Sequence, residues 1–169
     1  MISIIFPDSS VKKFEKGTKV IDVAKSISEG LARKVISASF NSETYEMESE
    51  LHVDGSIKFY TWDDDEGKQA FWHSSAHILA QTIKFFYPKS KLTIGPSIEN
   101  GFYYDFAFER AFTPEDLEAI EARMSELVKS DLVISREEWS RDEAADFFKS
   151  IGESYKAEII TSIPTNEPI

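Results

Sequence analysis

Apolar positions along the chain recur with two different periods. Ile2–Phe6 is a β-branched run, Pro7-Asp8-Ser9-Ser10 is turn chemistry, and an extended pattern resumes over Val11–Phe14, which predicts an opening hairpin. Gly17-Thr18 follows, with Thr18 as N-cap of a helix whose buried face is Ile21, Ala24 and Ile27 and whose C-cap is Gly30. Val35–Phe40 returns to strand, 41–50 is polar and turn-rich, and Glu50–Val53 and Ile57–Thr61 read as short strands around a tight Asp54-Gly55 turn. Hairpin, helix, strand, short strand and strand in this order predict a small mixed sheet over one helix, a β-grasp (ubiquitin-like) arrangement.

The period changes to helical from about Glu66 to Tyr87. At about 100° per residue, Trp72, Ala76, Leu79, Ile83 and Phe86 form one apolar stripe, while His73, His77, Ala80 and Lys84 project to nearly the opposite side. Tyr87-Pro88 stops the helix. Lys91–Asn100 and Phe102–Phe108 then read as two strands around an Asn100-Gly101 hairpin turn. Thr113-Pro114-Glu115-Asp116 starts a helix with a buried stripe of Leu117, Ile120, Met124, Leu127 and Val128. Leu132–Trp139 reads as a strand. Ser140 and Glu143 form a capping box for a helix that buries Ala144, Phe147, Phe148 and Ile151 and ends at Gly152, and Glu153-Ser154-Tyr155-Lys156 opens a last short element. The second unit is therefore α+β and built on the long helix. Pro164 and Pro168 loosen the last residues, and no closing strand follows, so the chain reads as part of a longer polypeptide.

Asp63-Asp64-Asp65-Glu66-Gly67 separates the two units and reads as a solvated acidic hinge whose charge suits the start of the long helix. The expected boundary is 1–63 and 64–169.

Composition narrows the function. The 169 residues carry 30 acids against 19 bases, a net charge of −11, which disfavours broad nucleic-acid binding and leaves a local contact with a nucleic-acid end open. There is no cysteine, hence no disulfide, no thiol nucleophile and no thiolate metal site within the chain. No run is long enough to cross a membrane and no basic leader precedes the first apolar residues, which points to a cytoplasmic setting.

The chemistry concentrates at His73 and His77, one helical turn apart. Alone, H-x-x-x-H is either a pair of surface histidines or a site for metal, proton transfer or hydrogen bonding. A metalloprotease is disfavoured because Ser74 stands where H-E-x-x-H needs glutamate. His52 is isolated among strand residues and reads as structural or exposed.

Three segments together carry a resemblance. His73-Ser74-Ser75-Ala76-His77-Ile78-Leu79-Ala80, then Ile94-Gly95-Pro96 through Glu99-Asn100-Gly101-Phe102-Tyr103-Tyr104-Asp105, then Gly152-Glu153-Ser154-Tyr155-Lys156 resemble the N-terminal region of bacterial threonyl-tRNA synthetases. The resemblance covers essentially the whole chain. It implies a TGS-type domain over 1–63, then an editing domain, truncated at its C-terminus, that hydrolyses serine misattached to threonine tRNA. It implies catalytic roles for His73, His77 and Lys156, and places Gly95 and Tyr104 near the terminal adenosine.

In the family, H-x-x-x-H is completed by a later C-x-x-x-H, which this chain lacks. The editing pocket is thus expected to miss one wall, and editing by the chain alone is left open. The ATP-, magnesium- and zinc-dependent catalytic core is expected elsewhere, so the chain alone should not charge tRNA. No metal or cofactor is expected within it. The implied partner is the acceptor end of tRNA(Thr), in a parent enzyme that dimerises through other domains. Two other readings stay open: a TGS-type regulatory or ligand-binding module without catalysis, disfavoured as a GTPase because no G-x-x-x-x-G-K-[ST] loop is present, and a zinc hydrolase, for which two imidazoles are a weak ligand set.

Overall fold

The first apolar run pairs as its alternation requires. In a computed structural model describing residues 1–134, 137–164 and 169, β1 (Ile2–Ile5) lies antiparallel to β2 (Val11–Phe14). Next come β3 (Thr18–Lys19), α1 (Val20–Ile27), α2 (Glu29–Ala32), β4 (Ser37–Phe40), β5 (Glu43–Tyr45), β6 (Glu50–Leu51) and β7 (Gly55–Tyr60). The main sheet has the order β2-β1-β7-β4-β5, with β1 and β7 parallel and the other pairs antiparallel. This is the expected β-grasp. Ile2, Ile4, Val20, Val23, Phe40 and Ile57 form its core, each almost wholly buried.

Several local expectations are corrected. Thr18 does not cap α1: its backbone pairs with Leu51 in β6, and its hydroxyl donates to the Glu15 carbonyl. The helix starts at Val20, where the Val20 and Ile21 amides donate to the Ser49 and Met47 carbonyls, so the loop serves in place of a side-chain cap. The buried face is Val20, Val23 and Ala24, and Ile27 is exposed. Ser28, not Gly30, is the C-cap, and Gly30 lies inside α2.

The polar stretch after Phe40 contains β5, reached through Asn41 and Ser42 at φ 52° and 71°, a tight turn that pairs Phe40 with Glu43. Asp54-Gly55 is not a hairpin turn, because β6 and β7 belong to different sheets.

The chain divides into a unit of Met1–Trp72 and a unit of His73–Ile169. The acidic stretch is a packed turn, not a free linker. The Asp64 carboxylate accepts from the Thr61 amide at 2.8 Å and its hydroxyl at 3.1 Å, and these bonds hold its pKa below the ordinary value. Gly67 is buried directly under the Thr61 carbonyl.

The long helix α3 runs Asp65–Phe86, with Asp65 and Glu66 in its first turn. Then come β8 (Lys91–Leu92), β9 (Ser97–Ile98), β10 (Gly101–Phe102), β11 (Phe106–Ala107), α4 (Pro114–Lys129), α5 (Arg141–Ser150) and α6 (Ser154–Ser162). β9 and β10 form the expected hairpin, and β8 pairs with β11. Both capping boxes are present, at Thr113/Asp116 and Ser140/Glu143, and Gly152 takes φ 80° beyond α5. The α5–α6 pair buries Ala144, Ala145 and Ile160, with Phe148 partly buried, whereas Phe147 and Ile151 are exposed.

On α4 only Ile120 is buried, Met124 and Leu127 are half-buried, and Leu117 and Val128 are 57% and 62% exposed, so the two ends of that stripe are uncovered. The described part of the expected 132–139 strand is irregular, and residues 135 and 136 lie outside the described residues, as does Pro168. Among the described residues, no helix is long and apolar enough to cross a membrane.

Where α3 ends, a polar knot holds the second unit. The Tyr87 hydroxyl donates to Asp116 Oδ1 at 2.7 Å, Arg110 forks onto the same carboxylate, and the Thr113 amide donates to Oδ2 at 2.8 Å. These donors, Arg110 first, hold Asp116 well below the usual carboxylate range. Tyr87 and Phe112 also pack on Phe108.

Gly67→Ala should destabilise the Met1–Trp72 unit although alanine favours helix by about 1 kcal/mol, because the new Cβ would overlap the Thr61 carbonyl. Urea unfolding should show a lower midpoint than the parent chain, and an unchanged or raised midpoint would contradict the packed turn.

Candidate functional site

Helical spacing brings the two histidines together. His73 and His77 are both exposed on α3, with ring centroids 4.5 Å apart, planes at 83°, and Nε2 atoms 2.9 Å apart. That contact requires one ring to donate and the other to accept, so in the neutral pair the two imidazoles hold opposite tautomers. Adding a proton to both would set two N–H groups face to face. Partial burial first, then His73 and the Lys156 ammonium, push the His77 pKa below its ordinary value of 6.5.

The projection is corrected in one respect. Ala76, Ala80 and Ile83 are the buried positions on this part of the helix, together with Thr82, while Phe86 is exposed. Ala80 thus belongs to the packing face, and the histidines stand along its edge.

Lys156 lies in the first turn of α6, its ammonium 5.4 Å from the Phe148 ring centroid. Gly95 and Tyr104 meet directly: the phenol ring covers Gly95 so closely that any Cβ there would overlap it. The Asp105 amide donates to the Ile94 carbonyl at 2.9 Å and fixes this register, and Tyr104 stacks on Phe106 at 4.7 Å. Burial first, then the Glu153 carboxylate, raise the Tyr104 pKa.

The structure therefore joins His73 and His77 in one contact and Gly95 and Tyr104 in another, with the Lys156 charge among the causes that lower the His77 pKa. Chain neighbours of the second pair and of Lys156 line a groove of about 310 Å³ formed by Thr93, Ile94, Tyr155, Glu158, Ile159 and Ser162.

Two residues without a role in the sequence reading connect these groups. Glu153 is 6% exposed, and its Oε1 sits 2.8 Å from the Lys84 ammonium. Lys84 also donates to the Pro88 and Ser90 carbonyls at 2.9 and 3.0 Å. Lys84 was visible in sequence as the residue two turns after His77 on the same side. Glu153 reads there as an ordinary helix start, yet its side chain makes no cap bond and turns to Lys84 instead.

No group of three His, Cys, Asp or Glu side chains suited to a metal occurs among the described residues. The two imidazoles bond each other instead of diverging toward a further ligand. Chemically, the arrangement offers a neutral imidazole that accepts a proton from a hydroxyl or water, beside a fixed positive charge.

Residues 2–61 match the TGS domain family. Over 169 residues the chain is 50% identical to the threonine–tRNA ligase of Clostridioides difficile, a match spanning 100% of this chain and 26% of that protein. It is 48% identical over 164 residues to the threonine–tRNA ligase of Carboxydothermus hydrogenoformans, with 97% and 26% covered. It is also 48% identical over 169 residues to that of an Azoarcus species, with 100% and 26% covered. The chain spans about a quarter of the length of these relatives.

His77 should titrate with a midpoint below 6.5 by NMR, and Lys156→Met should raise that midpoint. The unfolded chain takes up this proton as pH falls through 6.5, while the folded chain resists it. Stability should therefore decline from that pH down to the folded midpoint and show no further loss from this group below it. A midpoint at or above 6.5 would contradict the cause assigned.

Proposed function

From a chain whose residues 2–61 form a TGS domain and whose length is similar throughout to about a quarter of threonine–tRNA ligases, we propose that it is the segment of such a ligase carrying the TGS-type domain and most of an editing site for Ser-tRNA(Thr). The observation that carries this reading is the His73–His77 contact at an exposed helix edge, under the field of Lys156. The need is set by size. Serine lacks one methyl of threonine, and a missing methyl gives about 1–3 kcal/mol of discrimination. A hydrolytic site removes the errors that pass this limit.

In the proposed reaction, a neutral imidazole of the pair accepts a proton from water as the water oxygen attacks the seryl ester carbonyl. The carbonyl oxygen gains charge, and the Lys156 ammonium stabilises it. The bond to the ribose oxygen then breaks, the imidazolium returns its proton to that oxygen, and serine leaves a free tRNA end. Gly95 and Tyr104 provide a flat, fixed surface for the terminal adenosine.

Threonine activation with ATP, magnesium and zinc belongs in this reading to regions outside the chain. This placement follows from the resemblance, with the chain matching about a quarter of the ligases' length. The same holds for the C-x-x-x-H half of the pocket, for dimer formation and for most of the grip on tRNA. The setting is the cytoplasm, where tRNA is charged.

His73→Ala and His77→Ala in the full-length ligase should each slow deacylation of Ser-tRNA(Thr) by about 10²–10⁴-fold while threonylation continues. Unchanged deacylation would sink the roles given to the pair.

With its net charge of −11, the chain by itself should show no measurable binding of tRNA(Thr) at physiological salt. A dissociation constant in the micromolar range, measured by filter binding, would overturn the assignment of that grip to other regions.

A further inference from the structure

The Lys84–Glu153 pair lies outside the roles described so far, and its placement gives it a specific one. Glu153 immediately precedes α6, three residues before Lys156, so the two side chains leave the same first turn. Lys84 lies on α3, seven residues after His77. The 2.8 Å contact between them thus ties the start of α6 to the histidine-bearing helix, at a carboxylate that is 6% exposed. The Lys84 ammonium has three acceptors in place, one from Glu153 and two from the loop behind α3. Tyr104 is within the field of the same carboxylate.

We propose that the Lys84–Glu153 ion pair is the positioning element that fixes the first turn of α6, and with it Lys156, on the histidine-bearing helix α3. Glu153 and Lys84 are positioning residues that act through Lys156 and do not touch the reacting atoms. This rests on the reading of His73, His77 and Lys156 as one site.

The charged and titratable groups around His77 make the proposal testable by sign. His73 and Lys156 act on it, Lys84 and Glu153 pair with each other, and the Glu153 carboxylate acts on Tyr104. Removing the Glu153 charge without moving anything would take away a negative group and leave the Lys84 charge uncompensated, a single change that pushes the His77 midpoint down if it acts at all. Releasing Lys156 does the opposite, because its ammonium holds that midpoint low.

The experiment is an NMR titration of His77 in the whole chain. Glu153→Gln should raise the His77 midpoint by a few tenths of a unit or more, and should produce no rise in a Lys156→Met background. Glu153→Asp keeps the charge but is one methylene shorter, so it should also raise the midpoint, which a pure charge effect would not. An unchanged or lowered midpoint in Glu153→Gln, or a rise that persists without the Lys156 ammonium, overturns the proposal. Circular dichroism accompanies each titration. If Glu153→Gln fails to fold, Glu153→Asp carries the test. If both fail to fold, the pair is a requirement of the fold and its positioning role is rejected.

The readout is independent of hydrolysis. Histidine variants that keep deacylating Ser-tRNA(Thr), alongside a shifted His77 midpoint in Glu153→Gln, would remove the editing reading and leave the positioning intact. The reverse pattern would remove only the positioning.

Discussion

The ammonium of Lys84 meets acceptors from two separate parts of the chain: Glu153 at the start of α6, and the Pro88 and Ser90 carbonyls in the loop that follows its own helix. A buried ion pair of this kind adds little net stability, because desolvating both charges offsets most of their attraction. Its effect is on register. An apolar contact at the same place would tolerate α6 sliding or rotating by a residue, whereas a carboxylate sealed from water must reach its ammonium. In the proposed site, this fixes which residue of the first α6 turn faces α3. Removing the ammonium would leave the Glu153 carboxylate buried without its counter-charge, whereas Lys84, part-exposed, would keep its two carbonyl acceptors.

The Tyr87–Asp116–Arg110 knot does comparable work at the C-terminal end of α3. There the Thr113 capping box, the Arg110 fork and the Tyr87 hydroxyl converge on one carboxylate. A single aspartate thus caps α4 and ties it to α3. Both anchors lie C-terminal to His73 and His77, whose imidazoles meet along the exposed edge of the same helix. The i, i+4 geometry supplies the contact, and the anchors supply the surroundings.

How much of this was legible in the sequence depended on whether the signal was local. Capping boxes at Thr113 and Ser140, the Asn100-Gly101 hairpin and the His73/His77 spacing are written within four residues, and the structure contains all of them. The β-grasp order followed from element sequence alone. Misreadings arose where a distant backbone competed. Thr18 looks like a cap, but strand pairing with Leu51 takes its backbone, and the Met47–Ser49 loop caps the helix in its place. Asp54-Gly55 looks like a hairpin, but its flanking strands join different sheets. On α4, periodicity correctly marked an apolar face, yet it reports composition and not cover, so Leu117 and Val128 stand exposed. The pairing of Lys84 with Glu153 was unreadable for the same reason: the two lie 69 residues apart, and nothing local distinguishes such a salt bridge from two surface charges.

The acidity of the chain acquires a meaning once these charges are paired off. A net charge of −11 would repel a polyanion from most of the surface. At the histidine edge the local balance differs. Lys84 is neutralised by Glu153, and Lys156 is left as a positive charge acting on His77. A small positive site on a negative surface is poor at gripping a long nucleic acid but suited to receiving one end of it, because only a few phosphates come near and none need be held along the rest of the domain. Weak retention is also what the proposed editing role would require. A correctly charged end must leave as readily as it arrives, and a site that bound every tRNA end tightly would sequester product instead of sorting it.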